Sequence, residues 1–206
     1  MTATRDSWEL RFITETVAAP LEFAVESAGF AAAGPAFEER DAYLLTGSEK
    51  TNLKVRFRGN TLKLKTLQET AADRVERWRT ELDVALPAGA AVIARVLALL
   101  GVTGDAGALG SAATASELTD ALARILSPGR MVAVAKQRRL FGGGSCRADV
   151  VRFAVGERRY ASLGLESESA VELRAHLRWI ELPAAATTQN YMQLLYARPA
   201  PTEASG

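Results

Sequence analysis

The sequence predicts an α+β protein in which antiparallel strands close into a barrel, charged side chains point inward and helices pack outside. Three observations carry this. Alternation of apolar with charged residues at period 2, the mark of a β-strand, recurs in at least five segments. Within those segments cations and carboxylates are sorted into groups. Between them, the middle of the chain turns rich in Ala and Leu and loses the alternation, which reads as helix.

The strongest segment is Leu53-Lys-Val-Arg-Phe-Arg-Gly-Asn-Thr-Leu-Lys-Leu-Lys65. Gly59-Asn60 divides two short alternating runs and predicts a hairpin turn. Successive strand side chains face opposite ways, so Lys54, Arg56 and Arg58 share a face, as do Lys63 and Lys65. Pairing across the turn gathers these five cations on one surface, although facing like charges destabilise a sheet. The pattern calls for an anion. An ordinary sheet with one wet face accounts for any one of these strands, whereas a barrel with a charged lumen accounts for all of them.

Taken in order, Ser7 to Thr16 reads as the first strand, with Trp8, Leu10 and Phe12 opposite Ser7, Glu9, Arg11 and Ile13. Pro20 to Phe30 is a predicted helix, with Leu21, Val25 and Ala28 at helical spacing and Gly29 as its stop. Tyr43 to Leu45 is a short strand, followed by a loop over Thr46 to Asn52 and then the hairpin. Arg74 to Leu86 is a strand ended by Pro87, with Arg77, Arg79, Glu81 and Asp83 at every second position. Ala90 to Val102 suits a helix, Gly104 to Gly110 a loop, and Ser116 a cap for a helix over Glu117 to Leu126 that Pro128-Gly129 ends. Strands resume at Arg130 to Phe141, where Lys136 and Arg138 share a face. They continue, after a turn at Gly142-Gly143-Gly144, through Cys146 to Val155, where Arg147 and Asp149 share one. Gly156-Glu157 turns into a strand over Arg158 to Glu166. Ser169 and Glu172 have capping-box spacing and open a helix to about Ile180, with Val171, Leu173, Leu177 and Ile180 inward. Thr188 to Tyr196 is a last short helix, and Pro199 to Gly206 a loose tail. Residues 1–198 thus read as one domain, with 87–129 a helical insertion and 199–206 a tail.

The bulk properties fit this. Of 206 residues, 48% are apolar and 24% charged, an ordinary globular composition. A net charge of +1 excludes a global field for nucleic acid or anionic membrane, so any electropositive site must be local. Phe57 points away from Lys54, Arg56 and Arg58, leaving no stacking platform for single-stranded nucleic acid. Cys146, the lone cysteine, rules out an internal disulfide and reads as a packed residue. His176 reads as a packing or surface residue, and the triple glycine as a turn, since it lacks the following Lys-Ser/Thr of a phosphate loop. The first residues carry no apolar signal stretch, and Val84 to Val102 is broken by Pro87, Gly89 and Arg95. The expectation is a soluble, cytoplasmic protein without a membrane or nucleic-acid partner.

In their order, these segments resemble the CYTH superfamily, the triphosphate tunnel metalloenzymes, which include thiamine triphosphatase, class IV adenylyl cyclase and inorganic triphosphatases. That family opens on a Glu-x-Glu-x-Lys strand; Ser7-Trp8-Glu9-Leu10-Arg11-Phe12 is similar, with Ser7 for the first Glu and Arg11 for the Lys. Asp41-x-Tyr43-Leu44-Leu45 resembles the second strand, and Lys54-Val-Arg56-Phe-Arg58 with Leu62-Lys63-Leu-Lys65 the paired basic strands. Lys136-Gln-Arg138, Asp149, Glu166-Ser-Glu168 and Asn190-Tyr191-Met-Gln-Leu194-Leu195 resemble the later motifs.

The resemblance implies an eight-stranded antiparallel tunnel that binds a triphosphate on its basic side and a divalent metal on its acidic side. It implies substrate contacts from Lys54, Arg56, Arg58, Lys63, Lys65, Arg79, Lys136 and Arg138. Glu9, Asp149, Glu166 and Glu168 would hold Mg²⁺ or Mn²⁺, since hard cations take carboxylate oxygens, and Glu9, Arg11 and Glu166 would serve catalysis. Ser7 leaves that site one negative charge short. The first expectation is metal-dependent hydrolysis of tripolyphosphate or an organic triphosphate by a monomer or homodimer. The alternatives are a non-catalytic polyanion- or nucleotide-binding tunnel and a β-barrel scaffold or nucleic-acid module whose charges are merely solvated.

Overall fold

A computed structural model describes residues 4–15, 17–46, 52–102, 112–126 and 129–197. The elements are β1 (Arg5–Thr14), α1 (Ala19–Ser27), β2 (Ala31–Ala32), β3 (Phe37–Leu45), β4 (Leu53–Arg58), β5 (Thr61–Thr70) and β6 (Glu76–Ala85). There follow β7 (Ala88–Gly89), α2 (Ala90–Leu100), β8 (Ala112–Ala113), α3 (Ala115–Ile125), β9 (Arg130–Gly143), β10 (Cys146–Val155) and β11 (Arg158–Ser167). The last described elements are α4 (Ala170–Leu177), β12 (Thr187–Thr188) and α5 (Tyr191–Tyr196). Eight strands, in the order β10-β11-β1-β6-β5-β4-β3-β9, close into an antiparallel barrel through the pairing of β9 with β10.

Register decides which residues look inward. Lys54 lies opposite Lys65, and Arg56 opposite Lys63; Glu9 lies opposite Glu166, and Arg11 opposite Gly164. The intervening apolar residues therefore point out of the barrel, where helices cover them. Val55, Phe57, Leu62, Leu64 and Leu82 pack with Ile93, Val96 and Leu97 of α2 and with Leu118 and Leu122 of α3. On the other side Leu10, Ala148, Val150, Leu163 and Leu165 pack with Leu21 and Val25 of α1 and Leu173 of α4. Each fully buried large aliphatic side chain contributes about 1.5–3 kcal/mol. These two outer cores offset the cost of crowding like charges inside.

A third core lies within the barrel. Ile13, Tyr43, Leu45, Val132, Val134, Val151, Phe153 and Tyr160 have lumen-facing register, and they pack with Tyr191, Met192, Leu194 and Leu195 of α5. The last helix thereby plugs one end of the lumen. Asn190 caps it in a capping box with Gln193, and the Asn190 amide donates to Glu76 Oε1 at 2.7 Å. Pairing of Phe12 with Thr188 ties the preceding segment to β1.

Several boundaries differ from expectation. The strand at Tyr43 begins at Phe37, because the charged run Glu38-Glu39-Arg40 hides its alternation. Thr114, rather than Ser116, caps α3: its hydroxyl accepts from the Glu117 N–H at 3.3 Å, and the Glu117 carboxylate accepts from the Thr114 N–H at 2.8 Å. Val171 is exposed, since α4 buries Leu173 and a residue two positions earlier lies roughly 200° around the helix. Gly142 and Gly143 belong to β9, and the turn falls at Gly144, whose φ of 59° favours glycine. The Gly104 to Gly110 loop and the tail from Pro199 lie outside the described residues.

Candidate anion-binding chamber

Above the plug, the lumen forms a chamber of about 240 Å³ lined by nine basic and four acidic side chains. Eleven of the predicted site residues meet there: Glu9, Arg11, Lys54, Arg56, Arg58, Lys63, Lys65, Lys136, Arg138, Asp149 and Glu166. They come from β1, β4, β5, β9, β10 and β11, and their convergence follows from strand parity alone.

Two predicted residues stand apart. Arg79 is on the outer face, where its guanidinium donates to Asp6 at 2.8 and 3.2 Å. A register shift in the pairing of Leu64 and Lys65 with β6 inserts one extra residue, Glu81. Such a bulge swaps the faces of a strand beyond it, so Asp83 pairs with Lys63 while Trp78, not Arg77 or Arg79, turns inward. Glu168 follows the last residue of β11 and is exposed at the rim, paired with Arg5.

At the floor, Asp41 accepts from Arg58 at 2.7 and 3.0 Å and from the Lys136 ammonium at 2.6 Å. Burial opposes its charge, yet Arg58 and Lys136 hold its carboxyl well below the usual range. Lys136 also donates to the Tyr43 hydroxyl at 2.7 Å and stands 4.2 Å over the Tyr191 ring. Arg11 lies over the same ring at 4.6 Å and donates to Ser162 Oγ at 2.9 Å and Asp149 Oδ1 at 3.0 Å. Burial likewise opposes the charge of Asp149, and Arg11 and Arg138 keep its pKa low. Gly164, opposite Arg11, leaves the space this pair fills: a Cβ there would collide with both side chains. Tyr43 and Tyr191 are pushed up by burial.

Around Glu9 the arrangement is cationic. Glu9 contacts Lys65, and its other oxygen is 3.3 Å from the Lys54 ammonium. Against its burial, Lys54 and then Lys65 hold its pKa far below the ordinary value. Burial pushes Lys54 down, with Lys65 and Arg11 adding to the effect and Glu9 opposing it. The Lys54 ammonium lies 4.2 Å over the Trp78 ring. Arg56 differs from the rest. Among the described residues it has no ion-pair partner, and its Nε is buried without a hydrogen bond.

The four carboxylates expected as metal ligands are not gathered into one cluster. Among the described residues no group of three or more His, Cys, Asp or Glu converges. Glu9 is held by Lys54 and Lys65, Asp149 by Arg11 and Arg138, and Glu166 lies 3.5 Å from Arg147 and 3.8 Å from Lys65. A divalent ion needs several oxygen ligands free of competing charge. This donor set does not fit one.

Five chamber residues were not among the expected ones: Glu39, Tyr43, Arg147, Val151 and Tyr191. Arg147 stands two residues before Asp149, and Glu39 and Asp41 step by two from Tyr43, so period 2 points to them. Trp78 and Tyr191 have no such local signal, because a bulge and the plugging helix bring them in.

No protein-family model and no curated sequence matches the chain. Solved structures do. A conserved hypothetical protein of Pyrococcus furiosus superposes with a TM-score of 0.52 at 12% identity, over 90% of this chain and 99% of that one. A candidate adenylate cyclase of Bacillus halodurans gives 0.52 at 12%, over 95% and 100%. The PH1012 protein of Pyrococcus horikoshii gives 0.50 at 14%, over 90% and 98%. The chain has the fold of these proteins. Helices α1 to α3 in this chain are none of them long and apolar enough to cross a membrane, nor is any other described helix.

Proposed function

We propose that the chain binds a short linear polyphosphate, or the triphosphate of an organic molecule, end-on in the plugged barrel. The observation that carries this is the surplus of cations, nine basic against four acidic side chains, around a chamber closed on one side. Such crowding costs stability without an anion, and it presents charge on rigid strands that need no reordering when the anion enters. Arginine grips phosphate oxygens in pairs and lysine acts as a point charge. Arg56, without an ion-pair partner among the described residues, is the first contact. Because α5 closes the far end, a chain of phosphates meets the floor with its terminal group, and any organic part stays at the rim.

Hydrolysis is the second reading, favoured by Glu166. Its side chain faces the chamber and is 36% exposed, so it meets both the bound anion and water. A carboxylate so placed can orient a water toward a phosphorus whose charge the surrounding cations neutralise. The test is a thermal-shift and phosphate-release screen of tripolyphosphate, nucleoside triphosphates and thiamine triphosphate, with and without Mg²⁺ or Mn²⁺. Stabilisation lost in Arg56→Ala supports binding, and release lost in Glu166→Ala supports hydrolysis. Neither effect with any compound would refute both.

A further inference from the structure

Glu9 and Glu166 face each other directly across β1 and β11. Facing carboxylates repel and destabilise a sheet, and a cation between them offsets that cost. In this barrel that cation belongs to the chain. The Lys65 ammonium contacts Glu9 Oε1, lies 3.8 Å from Glu166 Oε1 and donates to Ser7 Oγ at 3.5 Å. Ser7 in turn donates to Glu9 Oε1 at 3.2 Å. Lys65 is buried, and Lys54, its partner across the hairpin, holds the second oxygen of Glu9. Ser7, Glu9 and Glu166 are thus the oxygen groups of one small cluster, and an ammonium ion occupies its centre.

We infer that Lys65 replaces a divalent metal in this chamber, so that the ligand is the free polyphosphate anion and not its metal complex. The inference rests on the polyanion reading and deepens it. A divalent ion entering the cluster would have to expel the Lys65 ammonium and stand beside Lys54 and Arg11, with two carboxylates and a hydroxyl to bind it. Mg²⁺ accepts such a set reluctantly, since it demands near-octahedral oxygen geometry and holds its water. The serine at position 7 and the lysine at position 65 are then complementary. A third carboxylate is unnecessary where the cation carries one charge and is covalently fixed.

Two titrations decide the matter. In the first, Mn²⁺ is added to the metal-free chain without polyphosphate and its free signal is followed by electron paramagnetic resonance. Binding weaker than about 1 mM is expected; submillimolar binding abolished in Glu166→Ala would overturn the inference. In the second, tripolyphosphate binding is measured by calorimetry in chelator and in excess Mg²⁺. Equal or tighter binding in chelator is expected, because Mg²⁺ sequesters the free anion. Binding strengthened about tenfold or more by Mg²⁺ would overturn it. The Ser7→Glu/Lys65→Met chain is expected to gain Mn²⁺ affinity at least about tenfold, and if it does not fold, Lys65→Met alone is expected to show a smaller gain. A folded variant with no gain counts against Lys65 as the resident cation. Absence of tripolyphosphate binding under both conditions would refute the polyanion reading, leaving the Mn²⁺ titrations to judge Lys65 independently.

Discussion

Replacing Lys136 by methionine should unsettle the barrel far more than removing any other lumenal cation. Its ammonium is almost entirely buried and lies 2.6 Å from Asp41, whose side chain is completely so. Removing one member of a buried ion pair strands the other and costs about 3–5 kcal/mol. Arg58 still contacts Asp41 at 2.7 and 3.0 Å, which places the loss at the lower end. The lost cation–π contact with Tyr191 adds about 0.5–2 kcal/mol. A total of about 3.5–5 kcal/mol corresponds to a fall in Tm of about 7–20 °C for a chain of this size. Calorimetric or fluorescence melting would measure it. Lys136→Met combined with Asp41→Asn, which removes the stranded charge, should recover at least half of the loss. A Tm within about 2 °C of the unmodified chain would refute the claim that this pair holds the floor together.

Other substitutions separate binding from stability. Arg56→Ala should leave Tm unchanged or raise it, because Arg56 faces Lys63 and has no ion-pair partner among the described residues, while tripolyphosphate affinity falls about tenfold to a hundredfold in calorimetry. Gly164→Ala should force Arg11 and Asp149 apart and cost about 1–3 kcal/mol in urea unfolding. Acid should destabilise the fold in a defined direction. Glu9, Asp41 and Asp149 all have folded pKa values below the unfolded ones, so the unfolded chain binds more protons and stability rises with pH. Their contribution is complete above the unfolded carboxylate range near about pH 4 and is lost as pH falls through the folded values. Urea midpoints between pH 2 and 7 should therefore be flat at the neutral end and drop below about pH 4. A flat profile throughout would contradict it.

Much of this fold is legible in strand parity. Lys54, Arg56, Arg58, Lys63, Lys65, Lys136, Arg138, Asp149 and Glu166 share the chamber because period-2 spacing survives folding unless a bulge intervenes. Arg79 shows the exception. A single extra residue at Glu81 exchanges the faces of β6, and nothing in Glu76-Arg-Trp-Arg-Thr-Glu-Leu-Asp83 signals it. The plug was equally hidden. Tyr191, Met192, Leu194 and Leu195 read as a short apolar helix, and their insertion among Tyr43, Val132 and Phe153 depends on contacts between segments far apart in the chain. The pairing of the lumenal carboxylates is hidden in the same way. Glu9, Asp149 and Glu166 are carboxylates in the right barrel, but the cations that neutralise each of them arrive from other strands.

The central claim is that the plugged, cation-lined lumen receives the end of a phosphate chain. A crystal structure of the protein with tripolyphosphate tests it most directly. The account predicts phosphate density inside the barrel, in contact with Arg56 and directed toward Lys136 and Tyr191. An empty lumen, with the anion seated instead on the outer wall beside Arg77 and Arg79, would contradict it.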